Sequence, residues 1–318
     1  MKTNKLIKNF SYSVLANGTN TLISLILVLF VPKILGVKEY SYWQLYLFYA
    51  SYIGFFHFGW ADGVYLKFGG KKYEDLDKGY FHSQFWLLTI FEIVLCVIFG
   101  ILTVIFCEDE SRRIVLLAVA LCCVLQIPRT FLQYLLQTTN RIVDYAKNYL
   151  LEKIVYAILV VIALFLGVRS FEILVCADLF SRFLTLVLLS KECKNIILGK
   201  VIDWTGGIRE AWDNISVGIK LMFANIAGQL LVGIVRFAIE NHWSVEVFGK
   251  VSLTITASNL LLVFINAVSI VMYPMLKNMD EQHYVEMYRK MRNILMIFFF
   301  FFLIVYYPAK VVLSWWLP

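Results

Sequence analysis

The sequence is poor in charge, in proline and in glycine. Only 16% of its 318 residues are Asp, Glu, Lys or Arg, against roughly 25% in a soluble domain. Five prolines and 17 glycines leave no flexible or collagen-like tract to explain that shortage. The four histidines, His57, His82, His242 and His283, are scattered and make no metal set. The six cysteines (Cys96, Cys107, Cys122, Cys123, Cys176 and Cys193) show no CxxC or other metal spacing and read as small core residues. Gly69-Gly70-Lys71-Lys72 lacks the spacing of a phosphate loop. No Ser/His/Asp or Cys/His nucleophile arrangement is visible, so neither an enzyme nor a cofactor or metal is expected. What is abundant is apolar: 60% of residues fall in the set AVILMFWYC. A disordered chain is excluded, and the composition points to a polytopic, all-α membrane helix bundle.

Nine spans are expected, at 12–34, 42–60, 83–106, 114–137, 149–167, 172–190, 215–239, 248–273 and 294–313. The apolar stretch after Lys2, Lys5 and Lys8 runs too far for a signal peptide and reads as an uncleaved first span. The polar stretch 191–214 reads as an interfacial linker between a six-helix lobe, 1–190, and a three-helix segment, 215–318. Tyr284, Met287, Tyr288 and Met291 at helical spacing suggest an amphipathic helix lying on the membrane over 279–292. The N-terminus and even-numbered loops hold 17 Lys/Arg, the odd-numbered loops and the C-terminal end 7. That bias puts the N-terminus on the cytoplasmic side. The net charge of +7 is therefore a topology signal, and no nucleic-acid partner is expected.

A shift of 208 positions brings the start of the chain onto a later segment. Ala16-Asn17 then falls on Ala224-Asn225, and Tyr40-Ser41 on Phe248-Gly249. Each copy is a long helix, a short outer loop carrying Glu39 or Glu246, and a second helix. Six spans separate the copies, so the repeat is parallel, a construction common among transporters with a site between their halves.

At 100° per residue, several spans gather polar groups on one face. The first has Ser13, Asn17, Thr21 and Ser24; the seventh Asn225, Gln229 and Arg236; the eighth Ser252, Thr256, Asn259 and Asn266. Polar groups facing lipid cost several kcal/mol each, so these stripes face a cavity or a neighbouring helix. The fourth span carries Gln126, Arg129, Gln133 and Gln137 beside Pro128. Arg129 is either a ligand contact or half of a structural pair with an acid such as Glu92. Glu92, in the third span, is either that partner or a proton-coupling group. Asp178 and Arg182, at i and i+4, read as an internal pair, and Lys220 as a snorkelling residue. Arg236 is either a cavity cation or an interface anchor near Glu240.

Three stretches carry a family resemblance. They are Ile34-Leu35-Gly36-Val37-Lys38-Glu39-Tyr40-Ser41-Tyr42-Trp43, after Asn17; Gly59-Trp60-Ala61-Asp62-Gly63 with Lys67-Phe68-Gly69-Gly70; and Phe248-Gly249-Lys250-Val251-Ser252 with Phe264-Ile265-Asn266-Ala267 and Tyr273-Pro274-Met275-Leu276. In this order the chain resembles the polysaccharide (O-antigen and capsule) repeat-unit flippases of the multidrug/oligosaccharidyl-lipid/polysaccharide exporter superfamily. The resemblance implies two six-span lobes around a cationic cavity in a bacterial cytoplasmic membrane. It implies translocation of undecaprenyl-diphosphate-linked oligosaccharide from the inner to the outer leaflet. Membrane lipids surround such a protein, and a polysaccharide polymerase is a partner of the pathway. The cavity residues expected from the face analysis are Arg129, Arg236, Asn17, Asn225, Gln229 and Gln133, with Glu92 for ion or proton coupling. Relatives are longer; 318 corresponds to 110 under the repeat, so six spans plus three of an expected six are present. Alternatives are a drug/cation antiporter, a peptidoglycan-precursor flippase, or a membrane enzyme or assembly partner of the same pathway. Cavity acids would favour the antiporter, and a large outer loop or a catalytic cluster the enzyme.

Overall fold

A computed structural model describes residues 18–19, 23–24, 26–27, 30–199, 204–259 and 284–316. Among these residues there is no β-strand, and the chain is a bundle of helices. Residues 30–35 are helical ahead of Gly36. The next elements are α1 (Val37–Ala50), α2 (Trp60–Phe68), α3 (Lys78–Phe106), α4 (Glu110–Thr138), α5 (Ile142–Phe165) and α6 (Phe171–Glu192). A short α7 (Lys194–Ile197) precedes α8 (Trp204–His242), a ninth helix α9 at 245–259, and α10 (Tyr284–Trp316).

Local chemistry sets several helix ends. Asp77 caps α3 by accepting from the Gly79 and Tyr80 amides, and Asp109 caps α4 by accepting from the Arg112 amide. Glu39 does the same for α6 from a distance, its Oε2 accepting from the Phe171 amide at 2.9 Å. At the far end of α4, Asn140 takes a left-handed φ of 58°. The Arg141 amide then bonds back to the Leu136 carbonyl at 2.8 Å, which closes the helix.

Among the described residues, six helices are long and apolar enough to cross a membrane: α3, α4, α5, α6, α8 and α10. One expected span differs. The span expected at 42–60 is interrupted: α1 ends at Ala50, a 3-10 turn covers Ile53–Phe55, and α2 begins only at Trp60. Gly59, at φ 82°, makes the second bend. The expected surface helix at 279–292 is, over its described part, the start of the continuous α10. Much of the first and eighth spans, with Asn17 and Asn266, lies outside the described residues. The polar stretch after Trp204 forms the opening turns of α8.

The burial pattern is that of a membrane bundle. Ile90, Val94, Val97, Ile98 and Ile101 stand exposed along α3, as do Ile294, Leu295, Phe299 and Phe300 along α10. In water such surfaces would drive aggregation; a bilayer accommodates them. The core instead lies between α1, α4 and α6, around Tyr46, Phe48, Ile127, Phe131 and Phe171.

Helix ends meet in two separate sets, as alternating spans require. At one end Tyr42 donates to Asp109 (3.1 Å), Glu39 caps α6, Arg112 pairs with Glu240, and Lys33 lies 5.6 Å over the Trp315 ring. At the other the Gly70 amide bonds the Thr138 carbonyl (3.0 Å), Arg141 covers Tyr73, and Lys67 pairs with Asp213. The basic residues Lys67, Lys71, Lys78 and Arg141 thus share an end.

The junction between α2 and α8 is backbone against backbone. A Cβ at Gly63 would overlap the Asn214 carbonyl oxygen, and one at Gly218 would overlap the Gly59 carbonyl and the Gly63 amide. Close approach through small residues is the usual way membrane helices pack. A polar lock secures it: Gln84 Oε1 accepts from Trp60 Nε1 (2.8 Å) and Asn214 Nδ2 (3.1 Å), and Gln84 Nε2 donates to the Gly207 carbonyl (2.8 Å).

Candidate functional site

Among the described residues, two arginine-centred polar assemblies stand out, one closed and one open. The closed assembly is built where α1, α4, α5 and α6 meet. Arg129, 2% exposed, pairs through Nη1 with Glu152, 1% exposed, and also donates to Thr185 Oγ1 at 3.1 Å. Lys153 reaches the other carboxylate oxygen of Glu152 at 3.2 Å. Beside this pair, Asp178 accepts from Arg182 Nε (2.7 Å) and from the Tyr46 hydroxyl (2.6 Å), while Arg182 Nη1 donates to Gln126 (2.6 Å). Gln133 donates to Asn148 Oδ1 (3.3 Å), and Asn148 donates onward to the Thr185 carbonyl (2.9 Å).

The expected Asp178–Arg182 pair is therefore present. Arg129 also has a carboxylate, but it is Glu152 and not Glu92. Leaving either buried charge alone would cost several kcal/mol, so the two arginines and two carboxylates are mutually required. Sequence reading missed Glu152. Asn148, Glu152 and Tyr156 follow one another at i+4 spacing and are all buried, a stripe that marks the inward face of α5.

Glu92 stands apart from this network. It is fully buried, accepts from the Cys123 thiol at 3.4 Å, and has no hydrogen-bond partner for Oε1. Cys96 joins it, although the sequence spacing of the cysteines marked no such meeting.

The open assembly centres on Arg236. Its Nε donates to Ser252 Oγ at 3.2 Å and its Nη2 to Gln44 Oε1 at 3.4 Å. Gln44 is held in turn by its Nε2 donating to the Tyr40 hydroxyl (2.8 Å). The guanidinium lies 4.7 Å from the Phe48 ring centroid and 5.3 Å from that of Phe248. Aromatic faces attract a cation, yet among the described residues no carboxylate pairs with Arg236. Arg129, Arg182 and Arg112, by contrast, each have one. The half-buried guanidinium is thus fixed by neutral groups and keeps its full charge available.

Asn225, Gln229, Gly233 and Arg236 occupy one face of α8, within about 80° at 100° per residue. Asn225 and Gln229 are exposed. The Tyr52 hydroxyl reaches the Gln229 carbonyl at 3.5 Å, so the broken segment after α1 lies beside this face. The structure therefore brings Asn225, Gln229 and Arg236 onto one surface. It places Arg129 and Gln133 in the closed assembly, and Asn17 lies outside the described residues. Ser252 comes from the polar face expected of the eighth span, whereas the contribution of Gln44 and Tyr40 was not foreseen; under the 208-residue shift Gln44 falls on Ser252, which is the signal that marks it.

Chemically, the open face can take an anion. A guanidinium offers a planar fork of donors suited to phosphate oxygens, and amides alongside it can bond hydroxyl groups.

Residues 64–315 match a family described as polysaccharide biosynthesis protein. That match covers 252 of the 318 residues. No curated relative and no solved structure matches the chain. The helices and their apolar surfaces make this a multi-pass membrane protein, and the match over most of its length says which kind: the chain belongs to the polysaccharide biosynthesis protein family.

Proposed function

We propose that the chain is a flippase component that carries undecaprenyl-diphosphate-linked oligosaccharide from the inner to the outer leaflet of a bacterial cytoplasmic membrane. The observation that carries this reading is Arg236: a half-buried cation held by Gln44, Ser252 and two aromatic rings, with no carboxylate to neutralise it among the described residues. A diphosphate supplies the missing negative charge. The exposed amides of Asn225 and Gln229, on the same face, offer donors and acceptors to the sugars. The prenyl tail stays in the bilayer against the apolar exterior. Arg129 is not the diphosphate contact in this reading, because Glu152 already neutralises it. The end bearing Lys67, Lys71, Lys78 and Arg141 faces the cytoplasm, following the distribution of basic residues.

The test is export in cells that depend on this protein for surface polysaccharide. Arg236→Ala should abolish surface polysaccharide and leave lipid-linked units accumulating on the inner leaflet, while Arg236→Lys retains part of the activity. Normal export by Arg236→Ala, at wild-type abundance in the membrane, overturns the assignment.

A further inference from the structure

Three soft or acidic ligand groups that are far apart in the sequence meet between α3 and α4. Glu92 and Cys96 stand one turn apart on the same face of α3, and Cys123 reaches them from α4. One ligand atom from each lies within 4.8 Å of the others. We propose that Glu92, Cys96 and Cys123 form a binding site for a thiolate-preferring divalent cation of the zinc class.

Geometry supports the assignment. Zinc–sulfur bonds of about 2.3 Å and zinc–oxygen bonds of about 2.0 Å, at tetrahedral angles, put sulfur and oxygen about 3.5 Å apart. Cys123 Sγ and Glu92 Oε2 are 3.4 Å apart. The remaining ligand separations, within 4.8 Å, have to close by at most about 1.3 Å to reach a tetrahedral edge, which side-chain rotation supplies. Three protein ligands leave the fourth position of a tetrahedral ion open.

The second observation is the state of Glu92 itself. Its side chain is fully buried, yet Oε1 has no hydrogen-bond partner, and none of the ion pairs formed by the described residues uses it. A buried carboxylate with an unused oxygen requires a proton or a cation. A divalent ion supplies that cation: each of the three ligands releases its proton to solvent as it binds, and the ion's two positive charges offset two of the three negative charges so formed. Two sulfurs select against magnesium and calcium, which take oxygen ligands.

The test uses the full chain purified in detergent without chelators. About one zinc per chain is expected by elemental mass spectrometry, and replacement by Co2+ should give a sulfur-to-cobalt charge-transfer band. Cys96→Ser and Cys123→Ser should each weaken the band by about half, and their double variant should lose both the band and the metal. Glu92→Gln should weaken binding while keeping the band, and Cys176→Ser, on another helix, should bind as wild type. Added zinc should raise the unfolding temperature of wild type and of Cys176→Ser but not of the double variant, which separates metal binding from misfolding. Absence of metal and band in wild type, equal metal in the double variant, or a Cys96–Cys123 disulfide in protein from a reducing compartment overturns the proposal.

Discussion

Ser41 and Gly249 stand 208 positions apart and touch: a Cβ placed at Gly249 would lie 2.7 Å from the Ser41 Cβ and 2.9 Å from its Cα. Gln44 and Ser252, separated by the same interval, both bond Arg236. Residues that the internal repeat treats as one position therefore meet each other across α1 and α9, as self-related positions do at a two-fold interface. Gly249→Val should force these helices apart and destabilise the protein by about 1–3 kcal/mol, seen as a lower thermal unfolding midpoint in detergent. Because the Ser41 backbone lies so close, trimming Ser41→Gly should recover only part of the loss. Unchanged stability in Gly249→Val would refute the contact.

Arg129 and Glu152 offer a sharper separation of structure from transport. Arg129→Ala leaves a buried carboxylate without its main partner and should cost about 3–5 kcal/mol. Replacing both, as Arg129→Met with Glu152→Leu, removes the uncompensated charge and should restore stability to near wild type. If Arg129 serves only the fold, the double variant also restores export. A stable double variant with no export would return Arg129 to the substrate path.

The glycines of α8 should divide by position. Gly218→Ala drives a methyl into the Gly59 carbonyl and should strongly destabilise the bundle or block its assembly. Gly228→Ala meets nothing within 4 Å and should be neutral or stabilising by about 0.5–1 kcal/mol, the helical preference for alanine. Protease resistance of membrane-inserted protein reads both.

Cysteine labelling tests orientation and burial together. Burial raises the Cys193 thiol to about 11, so at pH 8 only about one thiol in a thousand is the reactive thiolate. Its alkylation should be slow at pH 8, rise about tenfold per pH unit toward pH 10, and become fast once detergent unfolds the chain. Cys107, in the half-buried turn between α3 and α4, should react with a membrane-impermeant maleimide added outside intact cells. Labelling of Cys107 only in inverted vesicles would reverse the topology.

Long apolar runs made the helices legible, because a membrane span needs about 20 apolar residues whatever it packs against. The Asp178–Arg182 pair was legible too, since both partners lie on one helix and helical spacing alone joins them. Neither rule reaches a contact between helices: nothing in the spacing of Arg129 and Glu152, or of Glu92 and Cys96 with Cys123, announces that they meet. The interruption after Ala50 escaped for a different reason. Ile53, Phe55 and Phe56 keep the region apolar, and hydropathy records polarity and not backbone dihedrals, so the bend at Gly59 left no trace in it. At 279–292 alternating charges looked like a surface helix, but the described residues run on without a turn into the last span.

The contact of Gly59 and Gly63 with Gly218 has a mechanical meaning. With no side chains between the two backbones, the helices meet over a short contact, so a tilt of α8 about it moves the glycines least. Arg236 lies 18 residues beyond Gly218 on the same helix, or about 27 Å at the helical rise. A tilt of about 10° around this fulcrum would sweep the guanidinium through about 5 Å, so a movement that is small at the glycines becomes a stroke longer than a hydrogen bond at the charge.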